Sequence, residues 1–161
     1  MIVYNSLESQ SFVKLYNTFI KAFSDYQVQI NVLQESLENN LKRRGYRPDA
    51  SICACDEDEM IGFLLNSVRQ WDGKTTAYDT GTGVVKRYRN QGISGSMFSK
   101  ILQALKDMNV RRYILEVIQS NAPAVHLYEK QGLKFSGSLN VSALKKVSCG
   151  RCLGQMCAFS L

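Results

Sequence analysis

The stretch Thr80–Met108, TGTGVVKRYRNQGISGSMFSKILQALKDM, constrains this chain more than any other. A β-rich segment closes on Val84-Val85, a basic connection Lys86-Arg87-Tyr88-Arg89 follows, and Asn90-Gln91-Gly92-Ile93-Ser94-Gly95 opens a helix. Met97, Phe98, Ile101, Leu102, Leu105 and Met108 recur along it at the spacing of one buried helical face. The first turn of a helix carries backbone N–H groups without intrahelical acceptors and a partial positive charge. A strand, a glycine-bearing loop and a helix start therefore make a seat for an anion. Gly92 lets the backbone approach that anion, Gly95 keeps the first turn slim, Ser94 adds a hydroxyl, and Arg87 and Arg89 offer charge-assisted hydrogen bonds. A diphosphate is the ligand these features predict.

The spacing excludes two common diphosphate sites. It is not G-x-x-x-x-G-K-S/T, and it is not G-x-G-x-x-G after a first strand. On this stretch alone an ordinary glycine loop before a surface helix remains open. The residues resemble the acetyl-CoA signature of the GNAT superfamily of N-acetyltransferases, Gln/Arg-x-x-Gly-x-Gly/Ala, with Arg89, Gly92 and Ser94 in its places. Val84-Val85 and Tyr88 match the apolar strand end and the tyrosine that precede it. Ser94 departs from the usual Gly/Ala by one hydroxyl oxygen.

A second stretch, YILEVIQSNAPAVHLYEKQGLKF from Tyr113, extends the resemblance. Tyr113 to Ile118 is rich in β-branched and aromatic residues and reads as a buried strand. Asn121 is a good helix N-cap, Pro123 is tolerated in a first turn, and Gly132 marks a C-cap. The order Asn121, Ala124, Leu127, Tyr128, Gly132, Leu133 resembles the second GNAT motif. The close resemblance covers roughly residues 75–140.

With 161 residues and 45% apolar content, one globular domain over 1–161 is the expectation. No apolar run approaches a membrane span, and the N-terminus shows no basic-then-apolar leader, so a cytoplasmic protein is expected. The net charge of +6 reads as a solvated basic surface or as a match to an anionic cosubstrate. Its Lys and Arg clusters are not interleaved with aromatics, so neither nucleic acid nor membrane is an expected partner. The odd cysteine count, Cys53, Cys55, Cys149, Cys152 and Cys157, argues against a disulfide framework. Only Cys149-x-x-Cys152 has ligand-like spacing, so free thiols and no metal are expected.

In chain order, residues 2–5 read as a strand, and Ser11 to Phe23 as an amphipathic helix with Phe12, Phe19 and Phe23 as core. Asn31 to Arg44 reads as a second helix ended by Gly45. Ala50–Cys55 and Met60–Arg69 form a hairpin around an acidic turn, Thr75–Val85 is a third strand, and Leu133–Val141 and Gln155–Leu161 close the sheet. Gly81 and Gly83 fit a bulged strand end. The fold class is α/β (α+β). The resemblance implies a mixed, mostly antiparallel twisted sheet with a splayed central strand pair and about four flanking helices.

The resemblance also implies the chemistry. Acetyl-CoA would be the cosubstrate, its diphosphate on amides of Gln91 to Gly95, its pantetheine in the splay beside Val84, Val85 and Asn121. The seat as a whole would comprise Val84, Val85, Arg89, Asn90, Gln91, Gly92, Ile93, Ser94, Gly95, Asn121 and Tyr128. A backbone N–H near Val84 would face the thioester oxygen, and Tyr128 would be the general acid for the leaving thiolate. The base stays open. Asp79, on the strand leading to the site, either acts through water or caps the bulge. Glu116 either acts through water or is a buried structural carboxylate. His126 reads as a surface residue. Trp71, Tyr78, Asp79, Tyr26 and Glu35 are candidates for an acidic or aromatic acceptor pocket. The expected partner is an amine acceptor, small molecule or peptide, with homodimerisation possible. The competing readings are a CoA-binding sensor without turnover and a metal or nucleic-acid adaptor.

Overall fold

The computed structural model describes residues 1–25, 31–118, 120–140 and 155–160. Seven strands form one sheet: β1 (Ile2–Ser6), β2 (Ile52–Asp56), β3 (Glu59–Trp71), β4 (Lys74–Val84), β5 (Arg112–Ile118), β6 (Lys134–Asn140) and β7 (Gln155–Ser160), in the order β1-β2-β3-β4-β5-β7-β6. Every neighbouring pair is antiparallel except β4 and β5. The helices are α1 (Phe12–Ala22), α2 (Gln34–Arg44), α3 (Ile93–Asp107) and α4 (Ala122–Lys130). α3 is the crossover that a parallel β4–β5 pair requires.

The sheet buries an apolar layer on each face. On one side Leu15 and Ala22 of α1 and Leu37 and Leu41 of α2 pack on Cys53, Phe63 and Leu65. Phe19, Phe23 and Phe63 stack and tilt against one another, so the aromatic stripe of α1 is core. On the other side Met97, Phe98, Ile101 and Leu105 of α3 and Tyr128 of α4 pack on Ile61, Leu64, Ala77, Tyr113 and Leu115. α2 begins at Gln34 rather than Asn31, behind an N-cap, Leu33, that makes no side-chain hydrogen bond.

What positions a site is the break between β4 and β5. Their pairing covers only Thr76↔Arg112, Ala77↔Tyr113 and Tyr78↔Ile114. Beyond it β4 stays on β3 as far as Val84, and β5 stays on β7 as far as Ile118, so the two strands diverge. The cause is local. The β3–β4 register shifts between Leu65, opposite Gly81, and Asn66, opposite Asp79. Thr80 is the extra residue of this bulge, and its hydroxyl donates to the Leu65 carbonyl at 3.1 Å. A bulge bends its strand and increases its twist. Here it turns the end of β4 away from β5.

Candidate active site

At the end of β4, Lys86–Tyr88 form one short 3-10 turn and the chain enters α3 through two left-handed residues, Asn90 (φ 62°) and Gly92 (φ 76°). A Cβ at position 92 would meet no protein atom within 4 Å, so the space over the helix start is open. The Gly92 carbonyl accepts from the Ser96 N–H at 3.0 Å, which leaves the amides of Ile93, Ser94 and Gly95 as the unpaired first turn. Acidic residues are absent from that turn. This open seat fits a diphosphate.

A cleft of about 330 Å³ runs from this helix start to α4. Its walls include Val84, Arg89, Asn90, Gly92, Ile93, Ser94, Gly95, Asn121 and Tyr128 from the predicted set. Val85 and Gln91 do not line it. Val85 donates its N–H to the Ile61 carbonyl at 2.9 Å, and the Gln91 side chain donates to the Arg87 carbonyl at 3.2 Å. Thr82, Gly83, Pro123 and Leu127 also line the cleft. Gly83 was legible only as a bulge signal. Its reason is a close approach: a Cβ there would stand 2.7 Å from Phe63 Cζ and 3.2 Å from Ala22 Cβ.

Backbone polarity at the cleft follows from strand alternation. Since the Val85 N–H points to β3, the N–H and carbonyl of Val84 point the other way, into the gap beside β5. The Val84 carbonyl accepts from Arg89 Nε at 3.0 Å.

The arginines are oriented differently from the sequence expectation. Arg87 pairs with Glu59 and lies over the Tyr88 ring, 4.9 Å from its centroid. Arg89 reaches Asp25 with both terminal nitrogens, at 2.9 and 2.8 Å, and the Ala22 carbonyl at 2.7 Å. The guanidinium is the main reason the Asp25 carboxyl lies below its ordinary value.

Tyr128 lies on α4, whose N-cap Asn121 accepts from the Ala124 N–H at 3.4 Å. Its ring is buried against Phe98, centroids 5.6 Å apart, yet it borders the cleft. The Tyr128 hydroxyl is one of the groups that lower the Asp79 carboxyl. Asp79 accepts from the Gly81 N–H and from the Thr82 hydroxyl, each at 2.8 Å. The carboxylate thus caps the bulge beside Tyr128. Burial pushes it up to about 6, against the lowering by Thr82, Gly81 and Tyr128. Behind the pair, Tyr113 donates to Asn66 Oδ1 at 2.9 Å, and Asn66 Nδ2 donates to the Ala50 carbonyl at 2.8 Å.

Glu116 stands apart from this group. It alternates with the buried Tyr113, Leu115 and Val117, so it faces the α1/α2 side. It is exposed, which corrects the reading of a buried structural carboxylate. Burial and the neighbouring Glu116 push the Tyr78 phenol up to about 12. Asp79 and Glu116 are therefore on opposite faces of the sheet. The expected acceptor pocket does not assemble as a unit. Tyr78 and Asp79 face opposite ways, Trp71 is 54% exposed at the end of β3, Glu35 is in the first turn of α2, and Tyr26 lies outside the described residues. His126 is exposed.

Cys53 and Cys55 are buried free thiols with sulfurs 3.9 Å apart, and Cys149 and Cys152 lie outside the described residues. Among the described residues no group of three or more His, Cys, Asp or Glu could hold a metal ion, and no helix is long and apolar enough to cross a membrane.

The profile of the acetyltransferase (GNAT) family matches residues 12–133. Over 95 residues the chain is 27% identical to the L-amino acid N-acetyltransferase AaaT of Escherichia coli, covering 58% of this chain and 59% of that protein, less than two thirds of its length. Over 108 residues it is 28% identical to N-alpha-acetyltransferase 30 of Schizosaccharomyces pombe, covering 63% and 72%. The fold is similar to that of Arabidopsis thaliana NAA60 in complex with acetyl-CoA, with a TM-score of 0.75, 20% identity, and 100% and 98% of the two chains covered.

Proposed function

This chain belongs to the acetyltransferase (GNAT) family, and we propose that it is an acetyl-CoA-dependent N-acetyltransferase acting on a primary amine of a small molecule or peptide by direct attack in a ternary complex. One observation carries the reading. The gap between β4 and β5 has an anion seat and a phenol on one face and a reachable carboxylate on the other. Acetyl-CoA entering from the α3/α4 face and an amine from the α1/α2 face would meet in that gap. The relatives, an L-amino acid N-acetyltransferase and an N-alpha-acetyltransferase, agree with such an acceptor.

The roles follow from the geometry. The amides of Ile93, Ser94 and Gly95 hold the diphosphate at the positive end of α3. The Val84 N–H, pointing into the gap, donates to the thioester oxygen as it gains charge. Tyr128, beside Asp79, gives its proton to the departing thiolate. Asp79 already accepts from the Gly81 N–H and the Thr82 hydroxyl on the cosubstrate face, so it is a poor base for an amine arriving from the other side. Glu116, exposed and beside Tyr78, takes that role, directly or through water. Residues 1–161 act as a single domain.

The test is native mass spectrometry with acetyl-CoA, followed by free-thiol release with L-amino acids, short peptides bearing free N-termini, polyamines and aminoglycosides as acceptors. A stoichiometric complex with thiol release for at least one amine is expected. A complex with no release for any of them would replace the enzyme with a CoA-binding sensor.

A further inference from the structure

Arg89 occupies the arginine position of the acetyl-CoA signature, yet its guanidinium is bonded to Val84, Ala22 and Asp25. Of its five N–H donors, four are engaged with protein: Nε on the Val84 carbonyl (3.0 Å), one terminal N–H on the Ala22 carbonyl (2.7 Å), and a bidentate fork on Asp25 (2.8 and 2.9 Å). Ala22 ends α1 and Asp25 lies in the turn just after it, and α1 packs on the sheet face opposite α3. Val84 is the residue whose N–H enters the gap. The Arg89 backbone leads directly into the left-handed Asn90 and Gly92 at the seat. One planar side chain thus fastens the anion loop, the end of β4 and the end of α1 together. A forked guanidinium–carboxylate pair constrains direction as well as distance. Lys86, 3.6 Å from Asp25 and 73% exposed, adds charge but no such constraint.

Resting on the reading of the site given above, we propose that Arg89 is a positioning residue that couples the two faces: seating acetyl-CoA on the α3 amides fixes, through Arg89 and Asp25, the end of α1 on the acceptor side. A phosphate ligand would turn its guanidinium to the seat, whereas this one is committed to α1.

Hydrogen exchange read by mass spectrometry, with and without acetyl-CoA, tests the coupling in the wild-type protein, Asp25→Asn and Arg89→Lys. In the wild type acetyl-CoA slows exchange both in the first turn of α3 and in the last turn of α1, where Phe23 N–H bonds the Phe19 carbonyl at 3.1 Å. In Asp25→Asn the slowing at α3 persists and that at α1 falls by at least about threefold. Arg89→Lys keeps a cation but cannot form the fork, and it loses the α1 effect in the same way. Slowing confined to α3 in the wild type, or an undiminished α1 effect in both variants, overturns the coupling and leaves the enzyme reading intact. Absence of acetyl-CoA binding in the wild type removes both readings together.

Discussion

Replacing Asp79 by Asn isolates one titration while keeping the size and shape of the group. Burial holds the Asp79 carboxyl at about 6, against an ordinary value of 3.8. A difference of about two pH units corresponds to about 3 kcal/mol, at roughly 1.4 kcal/mol per unit. The folded protein binds this proton more tightly than the unfolded chain does. The stabilising contribution is therefore complete below about 3.8 and is lost as pH rises through about 6. Urea unfolding of wild type and variant between about pH 4 and pH 8 gives a difference curve in which only this group should appear. The variant is expected to gain on the wild type by up to about 3 kcal/mol across that range, with no further change above about pH 7. Asp25 and Asp49, held below 3.8 mainly by hydrogen bonds from Arg89 and Arg47, contribute with the opposite sign, and their stabilisation is lost as pH falls. They titrate in both proteins and cancel. A difference curve that stays flat would mean that Asp79 ionises as a solvated carboxyl does, and the bulge-capping role would fall.

Tyr128→Phe should lower kcat by roughly 10²–10⁴-fold with little change in the acetyl-CoA Kd, because only the proton donor is lost; unchanged turnover in a thiol-release assay would assign the acid elsewhere. Since the Tyr128 hydroxyl lowers Asp79, the same variant should move the Asp79 titration upward. Glu116→Gln should lower kcat/KM by about 10²-fold near neutral pH and by less at alkaline pH, where more of the amine is already neutral. A pH profile parallel to the wild type would exclude Glu116 as the base. Gly83→Ala places a Cβ 2.7 Å from Phe63 Cζ, and overpacking of this kind costs about 1–3 kcal/mol, seen as a lower Tm. An unchanged Tm would show that the Phe63 ring can give way without loss.

The periodic parts of the chain were legible because burial on one face imposes the period. α1, α3, α4 and the strands lie where their apolar spacing put them, and the anion loop was readable from Gly92 and the residues around it. The bulge was legible only approximately. Gly81 and Gly83 signalled it, but the extra residue is Thr80, because the register shift depends on what β3 presents at Leu65 and Asn66. Glu116 could be placed on the face opposite Tyr113 and Leu115, but not its exposure, since that depends on the divergence of β4 and β5. Least legible was the direction of Arg89. Its carboxylate partner is 64 residues away, and no local pattern near Arg89 or Asp25 announces the contact.

The same break in the sheet explains why local motifs carried so much of the site. A continuous sheet would leave α3 and α1 facing different solvents, with paired backbone between them. Here three paired positions give way to a gap, so the end of β4 offers a backbone N–H, a side chain to each face, and a carbonyl for Arg89. The residue sequence Tyr78-Asp79 then divides the chemistry by simple alternation. Tyr78 meets Glu116 on one face, and Asp79 meets Tyr128 on the other. Asp79 stays on the Tyr128 face because its own side chain caps the bulge, through Gly81 and Thr82, that turns β4 out of register with β3. The carboxylate beside Tyr128 is thus also the group that caps the bulge, which ties the shape of that strand to a single side chain.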